Sequence, residues 1–256
     1  MVAALPIFLS LFLAQSEPAA YAKAARAFAV HDFSSANTAV TEALKENPRY
    51  IPALLLEARL SIMGGQMDRA AAILKGATQE DPANPEPRFL LGFVYYLEND
   101  FERADKALAA ANQNDARVLL YRAMSAEALN RPEAAGDFYH RAIRADPKTP
   151  DARIAYARLL RKQGDAAEAA KLIDEAYAIA PNSRDVLYEK GLGLLDGGQY
   201  LQAVDFGNRA LAAPGPVPSE REIRYLLVRA WQKAGNAEMA AKERALFEKL
   251  PLPLVR

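Results

Sequence analysis

Small side chains recur at a nearly constant spacing along the chain, within stretches where apolar and polar positions alternate with a helical period. The column consists of Ala36, Ala70, Ala104, Ala135, Ala169, Ala203 and Ala240, here called the anchor alanines. They are separated by 34, 34, 31, 34, 34 and 37 residues. Seven positions after each anchor stands another alanine, or Phe247 in the last copy. Positions n, n+4 and n+7 share one face of an α-helix, so the chain is predicted to be a helical repeat protein.

A short turn signal precedes every anchor alanine by a few residues. Asn and Asp cap a following helix, while Gly ends a preceding helix in the left-handed conformation. The turns are His31-Asp32, Gly64-Gly65-Gln66, Asn99-Asp100, Asn130-Arg131-Pro132, Gly164-Asp165, Gly197-Gly198-Gln199 and Gly235-Asn236. Each repeat is therefore predicted to be a helix hairpin. Proline after Asn47, Asp81, Asp146 and Ala180 indicates where second helices end.

This arrangement resembles the tetratricopeptide repeat family. The resemblance rests on the anchor alanines, on the small residue twelve positions before most of them, and on large residues such as Phe33 and Phe101 three positions before them. It implies an all-α fold, a right-handed superhelical solenoid of antiparallel helix hairpins, over residues 17–252. Seven repeats are expected near 17–48, 51–82, 85–116, 116–147, 150–181, 184–215 and 221–252, with a tail at 253–256. Ala116, Gly215 and Leu252 depart from the family's proline.

Composition narrows the classes of partner and of stabilising chemistry. The 256 residues include 32 basic and 32 acidic side chains, so the net charge is zero. Without a global positive field the chain is not expected to bind nucleic acid. Cysteine is absent from the sequence, which excludes disulfides, thiol catalysis and Cys-ligated metals.

The N-terminus has the pattern of a secretory signal peptide. Residues Leu5–Leu13 are apolar except for Pro6 and Ser10, and the first charged side chain is Glu17. This run is too short to span a bilayer, which takes about 20 apolar residues. Residues 1–16 are therefore expected to be cleaved after Ser16, with export to the periplasm. The alternatives are an uncleaved membrane anchor, which would keep the chain near a membrane, and an apolar arm packed on the first helices.

The family resemblance implies that the first helices of the hairpins line a concave, partner-binding groove. The apolar and aromatic residues mapped to this groove are Leu55, Ile62, Phe89, Phe93, Tyr96, Tyr121 and Met124. The basic and aromatic residues of its C-terminal part are Arg158, Arg161, Lys162, Arg229 and Lys233, beside Tyr188 and Tyr225. We expect a partner segment with apolar anchors and an acidic flank. The alternative is that the aromatics fill gaps between helices and the charges form a solvated face.

The two histidines of the chain do not fit a catalytic or metal-binding pattern. His31 lies at a hairpin turn and His140 in a second helix of another repeat, without a second ligand at metal spacing. The stretch "GLGLLDGG" lacks the preceding strand and the Gly-Lys-Ser/Thr of a phosphate loop. The chain is therefore predicted to be no enzyme, with no cofactor, metal or small-molecule substrate.

The resulting hypothesis is a non-enzymatic adaptor that binds a protein or peptide partner in its groove. Lys, Asn and Arg are absent from the positions that carboxylate-clamp members of the family use for chaperone C-termini. An N-terminal signal segment followed by this repeat fold is a combination similar to that of bacterial cell-envelope assembly and secretion factors. The alternative hypothesis is a membrane-tethered component of a complex that acts through its convex face or through self-association as a homo-oligomer.

Overall fold

Fourteen α-helices form the regular structure of residues 17–251, which are the residues that the computed structural model describes. They are α1 (Ala19–Ala29), α2 (Phe33–Glu46), α3 (Ile51–Met63), α4 (Met67–Glu80), α5 (Glu86–Leu97), α6 (Phe101–Ala109), α7 (Ala116–Ala128), α8 (Pro132–Ala145), α9 (Asp151–Gln163), α10 (Ala166–Ile179), α11 (Arg184–Asp196), α12 (Tyr200–Ala212), α13 (Glu220–Lys233) and α14 (Ala237–Glu248). No strand occurs in this range, so the predicted all-α class is confirmed. The signal-like segment 1–16 and the tail 253–256 lie outside the described residues.

The helices pack as hairpins in two compact units. α1 packs on α2, α3 on α4, and the same pairing continues to α13 on α14. Within each unit, the second helix of each hairpin also packs on the first helix of the hairpin that follows it. The units divide between Asn112 and Gln113, so that unit 1 holds α1–α6 and unit 2 holds α7–α14. Most of the stabilisation is therefore expected from contacts between neighbouring helices.

The anchor alanines are buried in the packed helices. All seven are at most 5% exposed, and Ala36, Ala70 and Ala104 are fully buried. Gly92 on α5 shows why the opposing position is also small. A Cβ atom there would lie 2.5 Å from Cγ of Leu108 and 3.2 Å from the carbonyl oxygen of Ala104. The backbone of α5 at Gly92 lies against the side chain of Leu108 on α6, and this contact leaves no room for a methyl group.

The hairpin turns reverse the chain through a residue with a positive φ. All seven turns have one, with φ between 55° and 93°, at His31, Gly65, Asn99, Asn130, Gly164, Gly198 and Gly235. In three of the turns the next residue then caps the second helix. Oδ1 of Asp32, Asp100 and Asn236 accepts a hydrogen bond of 3.0 Å from a backbone N–H three residues on. Four of the glycines, Asp32, Asp100 and Asn236 thus act as expected. Asn99 and Asn130 instead take the left-handed position, and Asp165 makes no side-chain capping hydrogen bond.

The connector at residues 213–219 determines where α13 begins. Arg184 on α11 holds both ends of it, because its Nε donates to the carbonyl oxygen of Pro218 at 2.8 Å and its Nη1 donates to that of Ala213 at 3.0 Å. Ser219 then caps α13 in a capping box with Glu222. The proline-rich connector is therefore fastened to the preceding repeat.

Candidate partner-binding face

Every residue that the sequence analysis assigned to partner binding lies on the first helix of a hairpin. These first helices approach one another within each unit. In unit 2, α7 packs on α9 and α11 packs on α13. In unit 1, Nη2 of Arg59 on α3 lies 2.7 Å from Oε1 of Glu86 on α5. We call the side on which first helices meet the first-helix face of each unit.

The first-helix face of unit 1 is mainly apolar. Leu55, Arg59 and Ile62 follow a helical spacing along α3, so the Arg59–Glu86 pair lies on the same face as the two aliphatic side chains. Leu55, Ile62, Phe93 and Tyr96 are all partly exposed. Part of each apolar side chain is therefore open to a partner.

Phe89 differs from its neighbours, because it is only 6% exposed. Its ring contributes to the packing of α5, as the gap-filling interpretation of the aromatics expects. Tyr96 is partly open to solvent and also takes part in packing. It is partly exposed, and its ring packs edge-on against Phe101 at 5.7 Å between centroids.

In unit 2 two apolar or aromatic residues of α7 belong to the face. Tyr121 and Met124 on α7 are partly exposed. Met124 packs against the buried cluster that contains Ile154 and Leu160 of α9. Met124 therefore helps to join two repeats and presents only part of its side chain to solvent.

Two of the three arginines of α9, Arg158 and Arg161, enclose a buried carboxylate. The Glu189 side chain on α11 is 2% exposed, and its Oε1 accepts a hydrogen bond of 2.7 Å from Nε of Arg158. Its Oε2 lies 2.8 Å from Nη1 of Arg161, in an orientation that does not make a hydrogen bond. Nη2 of Arg158 also donates to Asp185 at 2.6 Å. Burial raises the pKa of the Asp185 carboxyl, although the Arg158 guanidinium opposes that rise.

Other cations of this face also have acidic partners on adjacent first helices. Nζ of Lys162 on α9 lies 2.6 Å from Oε1 of Glu127 on α7. Nη2 of Arg229 on α13 lies 3.9 Å from Oδ1 of Asp196 on α11. The predicted basic flank is therefore largely neutralised within the protein. Its charges tie consecutive first helices together.

Sequence reasoning overlooked these acidic partners, although a signal for them exists. Arg59 and Glu86 are 27 residues apart, and so are Arg158 and Asp185. A residue 34 positions on holds the same place in the next repeat, and a residue 27 positions on lies about two helical turns before that place. Two whole turns return to the same face, so both side chains lie on the same face of adjacent first helices. A search for opposite charges at that spacing would identify both pairs.

The two tyrosines at the C-terminal end of the face differ in their surroundings. Tyr188 is partly buried beside Glu189, and desolvation followed by the charges of Glu189 and Glu222 raises its pKa to about 12. Tyr225 is 53% exposed. Its ring lies 6.0 Å from that of Phe247 and 5.9 Å from the guanidinium of Arg229. Tyr225 therefore presents an aromatic surface to solvent, and Tyr188 does not do so to the same degree.

The raised pKa of Tyr188 predicts a late step in an alkaline titration. An ordinary tyrosine ionises near pH 10, so the difference in tyrosinate absorbance between the wild type and Tyr188→Phe should rise only as pH approaches 12. Because the folded pKa exceeds the unfolded one, the stability from this group is complete below about pH 10 and is lost between about 10 and 12. A difference that rises near pH 10 would contradict this environment.

No group of His, Asp and Glu suited to a metal ion occurs within residues 17–251. His140 has another contact, since its Nε2 lies 3.1 Å from the hydroxyl of Tyr156. Among the helices in the described range, none is long and apolar enough to cross a bilayer.

Comparison with protein-family models identifies the repeats. Tetratricopeptide repeat models match residues 21–85, 62–128 and 126–189. The chain belongs to the tetratricopeptide repeat family. This confirms the resemblance drawn from the anchor alanines, and it makes the protein a scaffold for protein–protein interaction of a type that is typically non-enzymatic. Comparison with curated proteins gives no match.

Solved structures of similar fold are also tetratricopeptide repeat proteins or assemblies. A chain of the APC/C hetero-tetramer Cut9–Hcn1 has a TM-score of 0.72 at 19% identity, over 82% of this chain and 42% of that one. A tetratricopeptide repeat protein from Parabacteroides merdae has 0.68 at 14%, over 92% and 93%. Pseudomonas aeruginosa pilF has 0.67 at 17%, over 78% and 93%. At these identities the likeness shows the helical-repeat fold alone.

Proposed function

We propose that this tetratricopeptide repeat protein is a non-enzymatic adaptor that holds a segment of a partner protein against its first helices. The observation that carries the proposal is the partly exposed apolar set on α3 and α5, namely Leu55, Ile62, Phe93 and Tyr96. Large apolar and aromatic side chains in one patch are typical of binding hot spots. Membership of the family supports a protein partner, and a chain of similar fold occurs in the Cut9–Hcn1 hetero-tetramer.

The ion pairs of the first-helix faces bear on the chemistry of the partner. Arg158, Arg161 and Lys162 already face Asp185, Glu189 and Glu127. An acidic partner segment would have to compete with these carboxylates, so it gains little from the cations. We therefore propose that apolar and aromatic anchors of the partner provide most of the affinity, and that an acidic flank contributes less than the sequence alone indicates.

The test is a comparison of variants that lose apolar surface in different places. Phe93→Ala/Tyr96→Ala removes two rings from the first-helix face of unit 1. Leu201→Ala is the matched control, because Leu201 is 66% exposed on the second helix α12. Cross-linking and affinity capture from the native cell extract measure the amount of a specific partner that each protein captures. The double variant should capture at least tenfold less of it than the wild type, and the control should capture the same amount. Equal capture by all three proteins would contradict binding on this face.

We further propose that the adaptor acts in the bacterial cell envelope after export, which the composition of residues 1–16 supports. Mass spectrometry of the purified native protein tests this directly. A mature chain that begins at Glu17 agrees with cleavage after Ser16 and periplasmic location. An intact Met1 in a membrane fraction would instead favour the tethered component that acts through its convex face or through self-association.

A further inference from the structure

A cleft of about 400 Å³ opens between two hairpins of unit 2, α9–α10 and α11–α12. Its walls are formed by the first turns of α10 and the last turns of α11, and it includes Ala166, Gly193 and Leu194. It reaches Ala169 and Ile173, which are 1% and 3% exposed. The floor of the cleft is therefore part of the hydrophobic core.

The equivalent positions in unit 1 have larger side chains. Counted from the anchor alanines, Ala166 corresponds to Phe33 and Gly193 corresponds to Leu60. A depression of about 480 Å³ there is lined by Phe33 and Leu60 and does not extend to the counterparts of Ala169 and Ile173. The cleft of unit 2 has a smaller volume than this depression, but it reaches residues of the hydrophobic core. Two large side chains are missing from its walls, and a Cβ atom on Gly193 would meet nothing within 4 Å.

The contacts made in other repeats indicate what would fill the space. Phe33 packs edge-on against Phe28 at 5.8 Å, and Phe101 packs in the same way against Tyr96 at 5.7 Å. Phe28 and Tyr96 each stand eight residues before an anchor alanine, and Arg161 holds this position beside the cleft. Two repeats thus have an aromatic pair at these two positions, and repeat five has an arginine and an alanine instead.

Arg161 is suited to receive a ring at this place. Its Nη1 pairs with Glu189, and a guanidinium that pairs along its edge keeps its flat face for stacking. The other charges around the cleft have partners, because Lys190 pairs with Asp174 and Asp196 lies 3.9 Å from Arg229. An uncharged aromatic group therefore complements the cleft better than a charged group.

We propose that this cleft binds one aromatic side chain of a partner segment, with the ring stacked on Arg161 and inserted between Ala166 and Gly193. The ring replaces the one that the repeat itself lacks. The inference rests on the protein-binding function of the family. It does not require that Phe93 and Tyr96 bind the same segment.

The test uses the full chain labelled with ¹³C in its alanine methyl groups and N-acetyl-L-phenylalaninamide as the probe. Saturable shifts are expected for the methyl groups of Ala166, Ala167 and Ala170, which line the cleft. N-acetyl-L-glutaminamide should produce no saturable shift. Ala166→Phe should weaken binding at least tenfold by restoring the ring in cis. Ala237→Phe is the matched control, because Ala237 holds the same position in the last repeat, and it should bind like the wild type.

Two results with the wild type would overturn the proposal. One is the absence of saturable shifts, which would make the cleft a packing gap only. The other is N-acetyl-L-leucinamide binding as tightly as the phenylalanine probe, which would remove the role of Arg161. If Ala166→Phe does not fold, Gly193→Leu fills the cleft from the opposite wall and should cause the same tenfold loss. Unchanged binding in that variant would also contradict the proposal.

Discussion

Replacing Glu189 by alanine is expected to lower the free energy of unfolding by about 3 kcal/mol at neutral pH. The Glu189 side chain is 2% exposed and lies between Arg158 and Arg161. Its removal leaves the Arg161 guanidinium, whose side chain is 21% exposed, without its carboxylate, whereas Arg158 keeps its pair with Asp185. Urea denaturation followed by circular dichroism measures the change, and loss of α9–α11 packing should appear as faster amide exchange in both helices.

The effect of Glu189 has a control within the same face. Lys162 pairs with Glu127 at 2.6 Å, but its side chain is 71% exposed, so Lys162→Ala should change the stability by no more than about 0.5 kcal/mol. Glu189→Gln keeps the shape and loses the charge, and an intermediate loss is expected. A Glu189→Ala variant within 1 kcal/mol of the wild type would show that the arginines find solvent, and that this network does not hold α9 to α11.

The ion-pair network also shows where reading the sequence reaches its limit. The repeat, the hairpin turns and the helix class follow from local rules, because small residues, left-handed turn residues and caps each act over a few positions. His31 and Asn99 adopt positive φ where other repeats use glycine, and their place before Asp32 and Asp100 made them recognisable. The all-α repeat fold was therefore predictable.

The candidate site was predictable only in its location on first helices. Which side chains remain exposed depends on contacts between repeats, and one-dimensional spacing does not state them. Phe89 and Phe93 stand four residues apart on α5, yet Phe89 is 6% exposed and Phe93 remains partly open. Arg158 was expected to offer its charge to a partner, but Asp185 and Glu189 use it first. Such pairs between repeats become visible in the sequence only when opposite charges are compared at the spacing of 27 residues that links adjacent first helices.

Replacing Gly92 by alanine is the second change with a large expected effect, a loss of about 2 kcal/mol in the free energy of unfolding. Alanine normally stabilises a helix relative to glycine by about 0.5–1 kcal/mol. Here the new methyl group would lie 2.5 Å from Cγ of Leu108 and 3.2 Å from a backbone oxygen. Leu108 is fully buried, so it has no free space to move into, and α5 and α6 must separate.

Gly76 on α4 provides the matched control in the same unit, because a Cβ atom there meets nothing within 4 Å. Gly76→Ala should stabilise the protein by about 0.5–1 kcal/mol, so the two alanine variants should differ by about 3 kcal/mol. In a Leu108→Ala background only the 3.2 Å contact with the carbonyl oxygen of Ala104 remains, so Gly92→Ala should cost much less there. Urea denaturation of the four variants measures this coupling. A Gly92→Ala variant as stable as Gly76→Ala would mean that the approach of α5 to α6 does not require a small residue twelve positions before the anchor alanine, and the physical basis of the repeat period would be lost.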